Sequence, residues 1–259
     1  VNNSGPSVPS TIQFITLPSP ILSNLIIANT TTITDTQIIF TWPTSLGANK
    51  YIYTITLQNS LTPITTQDTT FTTATINGLS SGTFYTITIT PYYNTLAGIS
   101  GSLSVITKPK LTSQPLITYL DTNSFTITWT SCSGATTYDY TINPLPTVPL
   151  LTNTTTNTFF TFNNLISGTT YNVIISPRNI SGFISANPTS ALTLPTPLDP
   201  NSINKINITT TGFTLKWSTN PSATNYTYSL SSSTNINNSP SSSLTPSSTI
   251  SYTAPTTIL

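Results

Sequence analysis

The sequence contains no histidine, no methionine and no glutamate, and its one cysteine is Cys132. Without histidine, a Ser-His-Asp triad cannot form, and a zinc site or a thiol nucleophile lacks its usual partner. A lone cysteine cannot close a disulfide within the chain, so a disulfide between two chains is the alternative left open for Cys132. We therefore expect no enzyme activity, no catalytic residues, no metal site and no cofactor.

Charged side chains are also scarce, at 4% of 259 residues with a net charge of +1. The six Lys and Arg residues are scattered, whereas phosphate backbones require clustered cations, so no nucleic-acid partner is expected. No apolar run approaches the roughly 20 residues of a membrane-spanning helix. Because almost nothing titrates near neutrality, the unfolding midpoint is predicted to change little between about pH 5 and 9.

The chain is instead rich in Thr, Ser, Asn and Ile, and 10% of its residues are aromatic. β-branched and aromatic residues favour strands, and their regular alternation supplies enough apolar surface for a core. We interpret the missing reactive groups as an inert surface that faces an uncontrolled environment. Drift in a low-complexity surface protein is the alternative interpretation.

A repeat of about 87 residues organises the chain. Trp42 and Trp129 are 87 positions apart, Trp129 and Trp217 are 88 apart, and each ends an alternating strand. A second strand with a Tyr-x-Tyr pattern follows each Trp, beginning at Tyr51, Tyr138 and Tyr226. Period-2 strands separated by Gly, Pro and Asn turns predict antiparallel β-sandwiches, and no segment has a helical period.

A further motif recurs, because Leu79-Ser-Ser-Gly-Thr-Phe-Tyr85 matches Leu165-Ile-Ser-Gly-Thr-Thr-Tyr171. Together with the Trp strand and the Tyr-x-Tyr strand, this pattern resembles the fibronectin type III family over nearly the whole chain. The resemblance implies an all-β fold of tandem fibronectin type III-like (immunoglobulin-like) sandwich modules with seven strands each. It also implies that Trp42, Trp129, Trp217, Tyr85 and Tyr171 are structural core residues, the two tyrosines acting as tyrosine corners.

The repeat predicts four segments. Residues 1–18 are expected to be the F–G loop and last strand of an upstream module, and 19–108 and 109–195 to be modules 1 and 2. Residues 196–259 are expected to form an incomplete module 3, in which 231–248 is a long connection and 249–253 is strand E. Alternatively, residues 1–18 could complete the third module of a neighbouring copy by strand donation. Prolines at both junctions predict semi-rigid spacers.

Few residues are candidates for a site. The F–G turn of module 1, with Tyr92, Tyr93 and Asn94, is the best ligand loop, because it places aromatics beside a turn. The Tyr-x-Tyr pairs are expected in the core rather than on a sugar-binding platform. Asp35 and Asp121 are expected to cap turns rather than bind calcium, which requires more oxygen ligands. Asp139 is predicted to lie on a solvent-exposed strand face.

The leading hypothesis is a non-catalytic structural or adhesive protein, extracellular or on a virion surface, in a fibre, spike or appendage. Its expected partners are other protein subunits of a surface assembly and host or surface glycans, and a homo-oligomer is left open. The alternative is a spacer or glycan-binding accessory region of a secreted polysaccharide-degrading enzyme. Sandwich folds host many functions, so the fold does not decide between them.

Overall fold

The computed structural model describes residues 11–12, 14–143, 151–229, 241–244 and 249–253. Among these residues the regular secondary structure is almost entirely strand, with two short 3-10 helices at Ser23–Leu25 and Pro200–Ser202. The predicted all-β class is therefore confirmed. No helix in this described part has the length and apolar content needed to cross a bilayer.

The first module has eight strands in two sheets: β1 (Ile27–Ala28), β2 (Ile38–Thr41), β3 (Lys50–Leu57), β4 (Pro63–Thr69), β5 (Thr73–Ile76), β6 (Phe84–Tyr93), β7 (Leu96–Ala97) and β8 (Gly101–Ile106). One sheet has the order β1-β2-β5. The other has the order β4-β3-β6-β7, and β8 also pairs with β6. Counting β7 and β8 as one interrupted edge strand gives the seven strands of the predicted sandwich.

The second module repeats this arrangement: β9 (Leu116–Leu120), β10 (Phe125–Thr128), β11 (Thr137–Asn143), β12 (Leu151–Thr155), β13 (Phe159–Phe162), β14 (Thr170–Asn179), β15 (Gly182–Phe183) and β16 (Thr189–Leu192). Its sheets have the orders β9-β10-β13 and β12-β11-β14-β15, and β16 also pairs with β14. The two modules therefore share one topology, as their matching sequence motifs predict.

The third segment contributes β17 (Asn204–Ile206), β18 (Gly212–Lys216), β19 (Tyr226–Ser229), β20 (Ser241–Leu244) and β21 (Thr249–Thr253). Strand β21 pairs with β18, in the position expected for strand E. Strand β20 lies inside the predicted connection 231–248 and pairs with β19, so that part of the prediction was wrong. Its serine-rich sequence carries little strand signal, and the backbone ladder to β19 defines it. The remainder of 231–248 lies outside the described residues.

The assignment of residues 1–18 to the last strand of an upstream module stays a prediction. Residues 1–10 and 13 lie outside the described part, and residues 11, 12 and 14–18 belong to no strand. Phe14 and Leu17 are largely exposed. A strand exists through its hydrogen-bonded neighbour, and none of the described strands pairs with this segment.

The alternating strands bury one face each, as their period requires. In β3 the buried residues are Tyr51, Tyr53 and Ile55, and in β6 they include Tyr85 and Ile87. The Tyr-x-Tyr pair of the first module therefore lies in the core. There the ring of Phe40 packs at 5.6 Å from that of Trp42 and at 5.5 Å from that of Tyr53. Such aromatic pairs contribute beyond the area they bury.

The chain divides into two compact units that do not coincide with the predicted modules. Unit 1 contains Val1–Thr112, Ser131–Asp139 and Ser176–Ala186, and unit 2 contains Ser113–Thr130, Tyr140–Ile175 and Asn187–Leu259. Unit 1 therefore contains most of the connection between β10 and β11, which is the B–C loop of the second module, and the turn between β14 and β15, which is its F–G turn. The module boundaries at 108/109 and 195/196 stay predictions.

The few groups whose pKa is shifted in the folded chain define the pH range over which the fold should keep its stability. Backbone and tyrosine hydrogen bonds lower the pKa of Asp121, and burial raises the pKa of Cys132, Tyr53, Tyr138 and Tyr140. The contribution of the Asp121 carboxylate to the free energy of unfolding is present at neutrality and is lost only below about pH 4. The buried thiol and phenols resist ionisation when folded, so stability falls only above about pH 8.5 to 10, where the unfolded groups ionise.

We therefore expect calorimetric unfolding midpoints to stay within about 10 °C of one another between about pH 5 and 9, and to fall at both extremes. A larger shift inside that range would contradict this account of the titrating groups.

Candidate functional site: the turns beside Lys108 and Arg178

Hydroxyl groups fix the turn between β5 and β6 of the first module, which is its E–F turn. The backbone N–H of Ser80 donates to the hydroxyl of buried Tyr85 at 2.9 Å, which is a tyrosine corner. The hydroxyl of buried Thr107 accepts from the N–H of Thr83 at 3.0 Å and donates to the carbonyl of Ser80 at 2.7 Å. The turn is thus tied both to β6 and to the end of β8.

The second module uses the same residue types at the same places. The N–H of Ile166 donates to the hydroxyl of Tyr171 at 2.9 Å. The hydroxyl of Thr193 accepts from the N–H of Thr169 at 3.0 Å and donates to the carbonyl of Ile166 at 2.7 Å. The Gly-Thr pair of the sequence motif is therefore part of a local hydrogen-bond network.

The tryptophans predicted as core residues are buried in all three repeats, with exposures of 4% for Trp42 and 7% for Trp129 and Trp217. Sequence reasoning missed the tyrosine that completes each B–C loop. The hydroxyls of Tyr51, Tyr138 and Tyr226 accept from the N–H groups of Ser45, Cys132 and Asn220, respectively. The available signal was a constant spacing, because each tyrosine follows its tryptophan by nine positions.

Within unit 1, the E–F turn of the first module meets the B–C loop of the second through glycines. A Cβ added to Gly82 would lie 1.8 Å from the carbonyl oxygen of Ser133, and one added to Gly134 would lie 2.1 Å from that of Gly82. Both glycines also have a positive φ, +55° and +64°. The hydroxyl of Ser133 donates to the Gly82 carbonyl at 3.3 Å. Only residues without side chains allow the two backbones to come this close.

The F–G turn of the second module lies on the same end of the first. The side-chain amide of Asn179 donates to the carbonyl of Thr107 at 2.8 Å, and the Ser181 hydroxyl donates to the carbonyl of Ile106 at 2.6 Å. Asn179 and Ser181 are both buried, and the N–H of Ser181 donates to Oδ1 of Asn179. Buried side chains thereby satisfy the carbonyls at the end of β8.

Unit 2 contains a matching contact between the second E–F turn and the third B–C loop. A Cβ added to Gly168, whose φ is +60°, would lie 2.1 Å from the Cβ of Ser222. The hydroxyl of Ser222 donates to the carbonyl of Ser167 at 3.3 Å, and its N–H donates to Oδ1 of Asn220. The glycine of each Gly-Thr motif is therefore the point of closest approach to the following loop.

Asp139 is buried, so the prediction of an exposed carboxylate was wrong. Arg178 on the neighbouring strand β14 pairs with it, and the Nε of Arg178 donates to Oδ2 of Asp139 at 2.7 Å. Three consecutive residues of β11 are buried because this guanidinium covers the outer face of the strand. The alternation of a single strand carries no signal for a covering side chain that lies 39 positions away.

The other aspartates differ from one another. Asp121 accepts from the N–H of Thr122 at 2.7 Å and from the hydroxyl of Tyr119 at 3.0 Å, which is the expected turn-capping role. Asp35 instead lies 3.1 Å from the ammonium of Lys110, and no turn-capping bond to its carboxylate is found among the described residues. In the same part of the chain, no three His, Cys, Asp or Glu residues gather as a metal site.

Cys132 lies half-buried in the B–C loop of the second module, and burial raises the pKa of its thiol. The thiolate is the reactive form, so this environment reduces its reactivity. A disulfide between chains stays a prediction.

The predicted ligand loop is a well-bonded turn. Asn94 has φ of +54°, its N–H donates to Oδ1 of Asn49 at 3.0 Å, and its own Oδ1 accepts from the Asn49 amide at 2.8 Å. Tyr92 is half-buried and lies 5.6 Å from the ammonium of Lys50, and Tyr93 is half-buried beside it. These contacts give Asn94 a turn-forming role, and ligand binding at this loop stays a prediction.

The equivalent turn of the second module borders a cleft of about 430 Å³, which lies entirely within unit 1. Lys108 and Arg178, two of the six cations of the chain, line it together with Thr30, Thr31 and the F–G turn from Asn179 to Phe183. The guanidinium of Arg178 lies 4.5 Å from the centre of the Phe183 ring. Sequence reasoning missed this cleft because its walls come from segments about 70 to 150 positions apart.

Replacing Arg178 tests its ion pair with Asp139, whose side chains are 40% exposed for Arg178 and 11% for Asp139. Arg178→Met leaves the Asp139 carboxylate without its cation and should lower the free energy of unfolding by about 1–3 kcal/mol, since the pair is partly solvated. The double variant Asp139→Asn/Arg178→Met should regain at least half of that loss, as measured by amide hydrogen exchange in β11.

The control is Lys110→Met, which breaks the more exposed of the two ion pairs, with side chains 58% exposed for Lys110 and 17% for Asp35, and should cost less than about 1 kcal/mol. Equal losses for Arg178→Met and Lys110→Met would contradict the assigned role of Arg178.

No protein-family model matches the chain. Among curated proteins it is 31% identical over 162 residues to the receptor-type tyrosine-protein phosphatase eta of Mus musculus, covering 61% of this chain and 12% of that protein. The phosphatase eta of Gallus gallus is 29% identical over 237 residues, which cover 88% of this chain and 16% of that protein. The chain thus spans only a small part of the length of these relatives.

Among solved structures, the FN1–FN3 domains of chicken CNTN1 align with a TM-score of 0.37 and 15% identity, covering 92% of this chain and 89% of that one. A segment of two fibronectin type III domains from chicken tenascin aligns with a TM-score of 0.39 and 20% identity, covering 68% and 98%. The fold assignment rests on the chain itself: two complete modules with one strand order, a buried Trp in each repeat and a tyrosine corner in each complete module. The chain is a tandem of fibronectin type III-like β-sandwich modules.

Proposed function

We propose that this tandem is a non-catalytic, extracellular structural or adhesive protein, a segment of a fibre, spike or appendage on a virion or microbial cell surface. The observation that carries the proposal is the repeated glycine contact, Gly82 with Ser133 and Gly134 in unit 1, and Gly168 with Ser222 in unit 2. A chain that packs the turn of one module against the loop of the next holds successive modules together through backbone contact. That property suits a spacer.

The placement of the polar groups supports a structural role. In both complete modules, buried Thr and Tyr hydroxyls form hydrogen bonds with the backbone of the E–F turn. In unit 1, buried Asn179 and Ser181 donate hydrogen bonds to backbone carbonyls of the first module. Catalytic groups typically have perturbed pKa values within a cleft. The acid with a lowered pKa, Asp121, instead lies at a turn, where its carboxylate accepts a backbone N–H.

The proposed partners are protein subunits of a surface assembly and surface glycans. The alternative is an accessory region of a secreted polysaccharide-degrading enzyme, serving as a spacer or binding glycans. The cleft beside Lys108 favours a glycan-binding contribution in either setting, because hydroxyl and amide groups line it next to a cation.

Sequencing the complete reading frame and its neighbours separates these settings. A catalytic domain rich in Asp and Glu on the same reading frame would support the enzyme-accessory alternative. A reading frame in a cellular operon with a sortase-type anchor would contradict the virion setting.

Gly82→Ala tests the glycine contact. The added methyl would collide with the Ser133 carbonyl, so we expect the B–C and F–G turns of the second module to separate from the first. Trypsin should then cleave after Arg178 at least about tenfold faster, because the half-buried Arg178 lies on the same end of the module.

Gly78→Ala is the matched control. Gly78 also has a positive φ, +74°, but apart from its own atoms and those of its two chain neighbours, no heavy atom lies within 4 Å of the position of its added Cβ. It therefore shares the backbone strain of Gly82→Ala without the collision. Equal cleavage rates in the two variants would show that strain, rather than the contact, controls access to Arg178.

A further inference from the structure

We propose that the cleft beside Lys108 binds a carboxylated pyranose, a sugar ring bearing one carboxylate, as the ligand class of this surface. The inference rests on the proposed adhesive function and deepens it, because it names the kind of glycan that the tandem would recognise.

Charge in the cleft selects a monoanion. The charge of Arg178 is compensated by Asp139, whereas no carboxylate of the described residues lies within 4 Å of the ammonium of Lys108. The cleft therefore carries one uncompensated positive charge. A single carboxylate matches it, while a polyanion would need the clustered cations that this chain lacks.

The side chain of Lys108 lies against the docked F–G turn, and its backbone is held within the first module. If Gly182 carried a Cβ, that atom would lie 3.0 Å from Cε and 3.6 Å from Nζ of Lys108, so the lysine side chain extends across this glycine. The backbone of Lys108 is itself fixed, because its N–H donates to the carbonyl of Thr34 and its carbonyl accepts from the N–H of Gly82. The charge is thus presented from a constrained site, which lowers the entropic cost of binding.

The remaining walls suit a sugar ring. Thr30 and Thr31 are exposed in the lining, where the Thr31 hydroxyl donates to Oδ1 of Asn29 and keeps its lone pairs to accept, and Phe183 is 42% exposed beside them. Hydroxyls exchange hydrogen bonds with sugar hydroxyls, and an aromatic ring packs against the C–H face of a pyranose. The cleft volume of about 430 Å³ lies within the roughly 300–1,000 Å³ typical of small-molecule sites.

An apolar hollow adjoins the cleft within the same unit. It has a volume of about 300 Å³ and is lined by Ala28, Phe84 and Leu103, and Ile180 and Ser181 line both cavities. Phe84 is 45% exposed and Ile180 is 85% exposed. An apolar substituent of the sugar, such as an N-acetyl methyl group, could pack there while the carboxylate faces Lys108.

The test is a titration of the full chain, followed through the amide resonances of Lys108, Gly182 and Phe183. The probes are methyl β-D-glucuronide and the methyl α-glycoside of N-acetylneuraminic acid, and methyl β-D-glucoside is the neutral control. We expect at least one acid to bind with a dissociation constant of about 1 mM, as suits a ligand of this size, and the glucoside to bind at least about tenfold more weakly. Which acid binds more tightly distinguishes a uronate source from a sialylated one.

Lys108→Gln should weaken binding of the acid by at least about tenfold, and Lys108→Arg should retain it. Lys205→Gln is the matched control, because it removes an exposed lysine charge that lies outside the cleft and has no carboxylate partner among the described residues, and it should change the affinity by less than about twofold. The proposal is overturned if neither acid shifts these resonances, if the glucoside binds as well as the acids, or if both glutamine variants weaken binding equally. None of these failures would alter the Gly82→Ala result, so a wrong ligand class and a wrong structural role remain distinguishable.

Discussion

The close approach of the Gly82 and Gly134 backbones is the constraint on which the arrangement of turns around the Lys108 cleft in unit 1 depends. Each glycine occupies left-handed backbone space, and a Cβ on either would overlap the partner's backbone atoms. Contacts this short between main chains bring C–H groups and carbonyl oxygens within van der Waals range, which adds many small attractive terms. With this loop in place, the neighbouring F–G turn can reach the carbonyls of Ile106 and Thr107. Lys108 and Arg178 then line one cleft.

The scarcity of charge makes the placement of each charge informative. Asp35 pairs with Lys110, and Asp139 pairs with Arg178, so two of the five acids neutralise two of the six cations within unit 1. Lys108 has no carboxylate partner among the described residues, and it lines a cleft. The same scarcity is the reason to expect stability that is nearly independent of pH around neutrality, because Thr, Tyr and Asn side chains carry most of the turn-fixing hydrogen bonds and do not ionise there.

Local patterns predicted the architecture well, since the period-2 strands and the repeating Trp and Gly-Thr-x-Tyr motifs report local geometry directly. The family resemblance predicts the tyrosine corners at Tyr85 and Tyr171. Each of these hydrogen bonds joins residues only five positions apart, so a short sequence motif is enough to indicate it. Strand β20 could not be predicted in the same way, because a serine-rich segment becomes a strand only through its neighbour β19. Tertiary pairing commonly overrides weak strand propensity.

The candidate site could hardly be predicted at all. Strand alternation predicts an exposed Asp139, because it describes one strand by itself. The burial of Asp139 depends instead on Arg178 in another strand. The F–G turns of the two complete modules have equivalent positions but different partners: Asn94 bonds within its own module, and Asn179 bonds to Thr107 of the preceding one. That difference arises from contacts between distant segments, on which a single sequence carries no information.

The most direct test of the central claim is a nuclear Overhauser measurement between the α protons of Gly82 and Gly134, which is practical because the chain has only ten glycines. The account predicts a strong cross-peak, since the Cα of Gly82 lies 2.8 Å from the position that a Cβ of Gly134 would occupy. Assigned resonances for both glycines with no cross-peak between them would contradict the docking of these turns, and with it the structural role built on it.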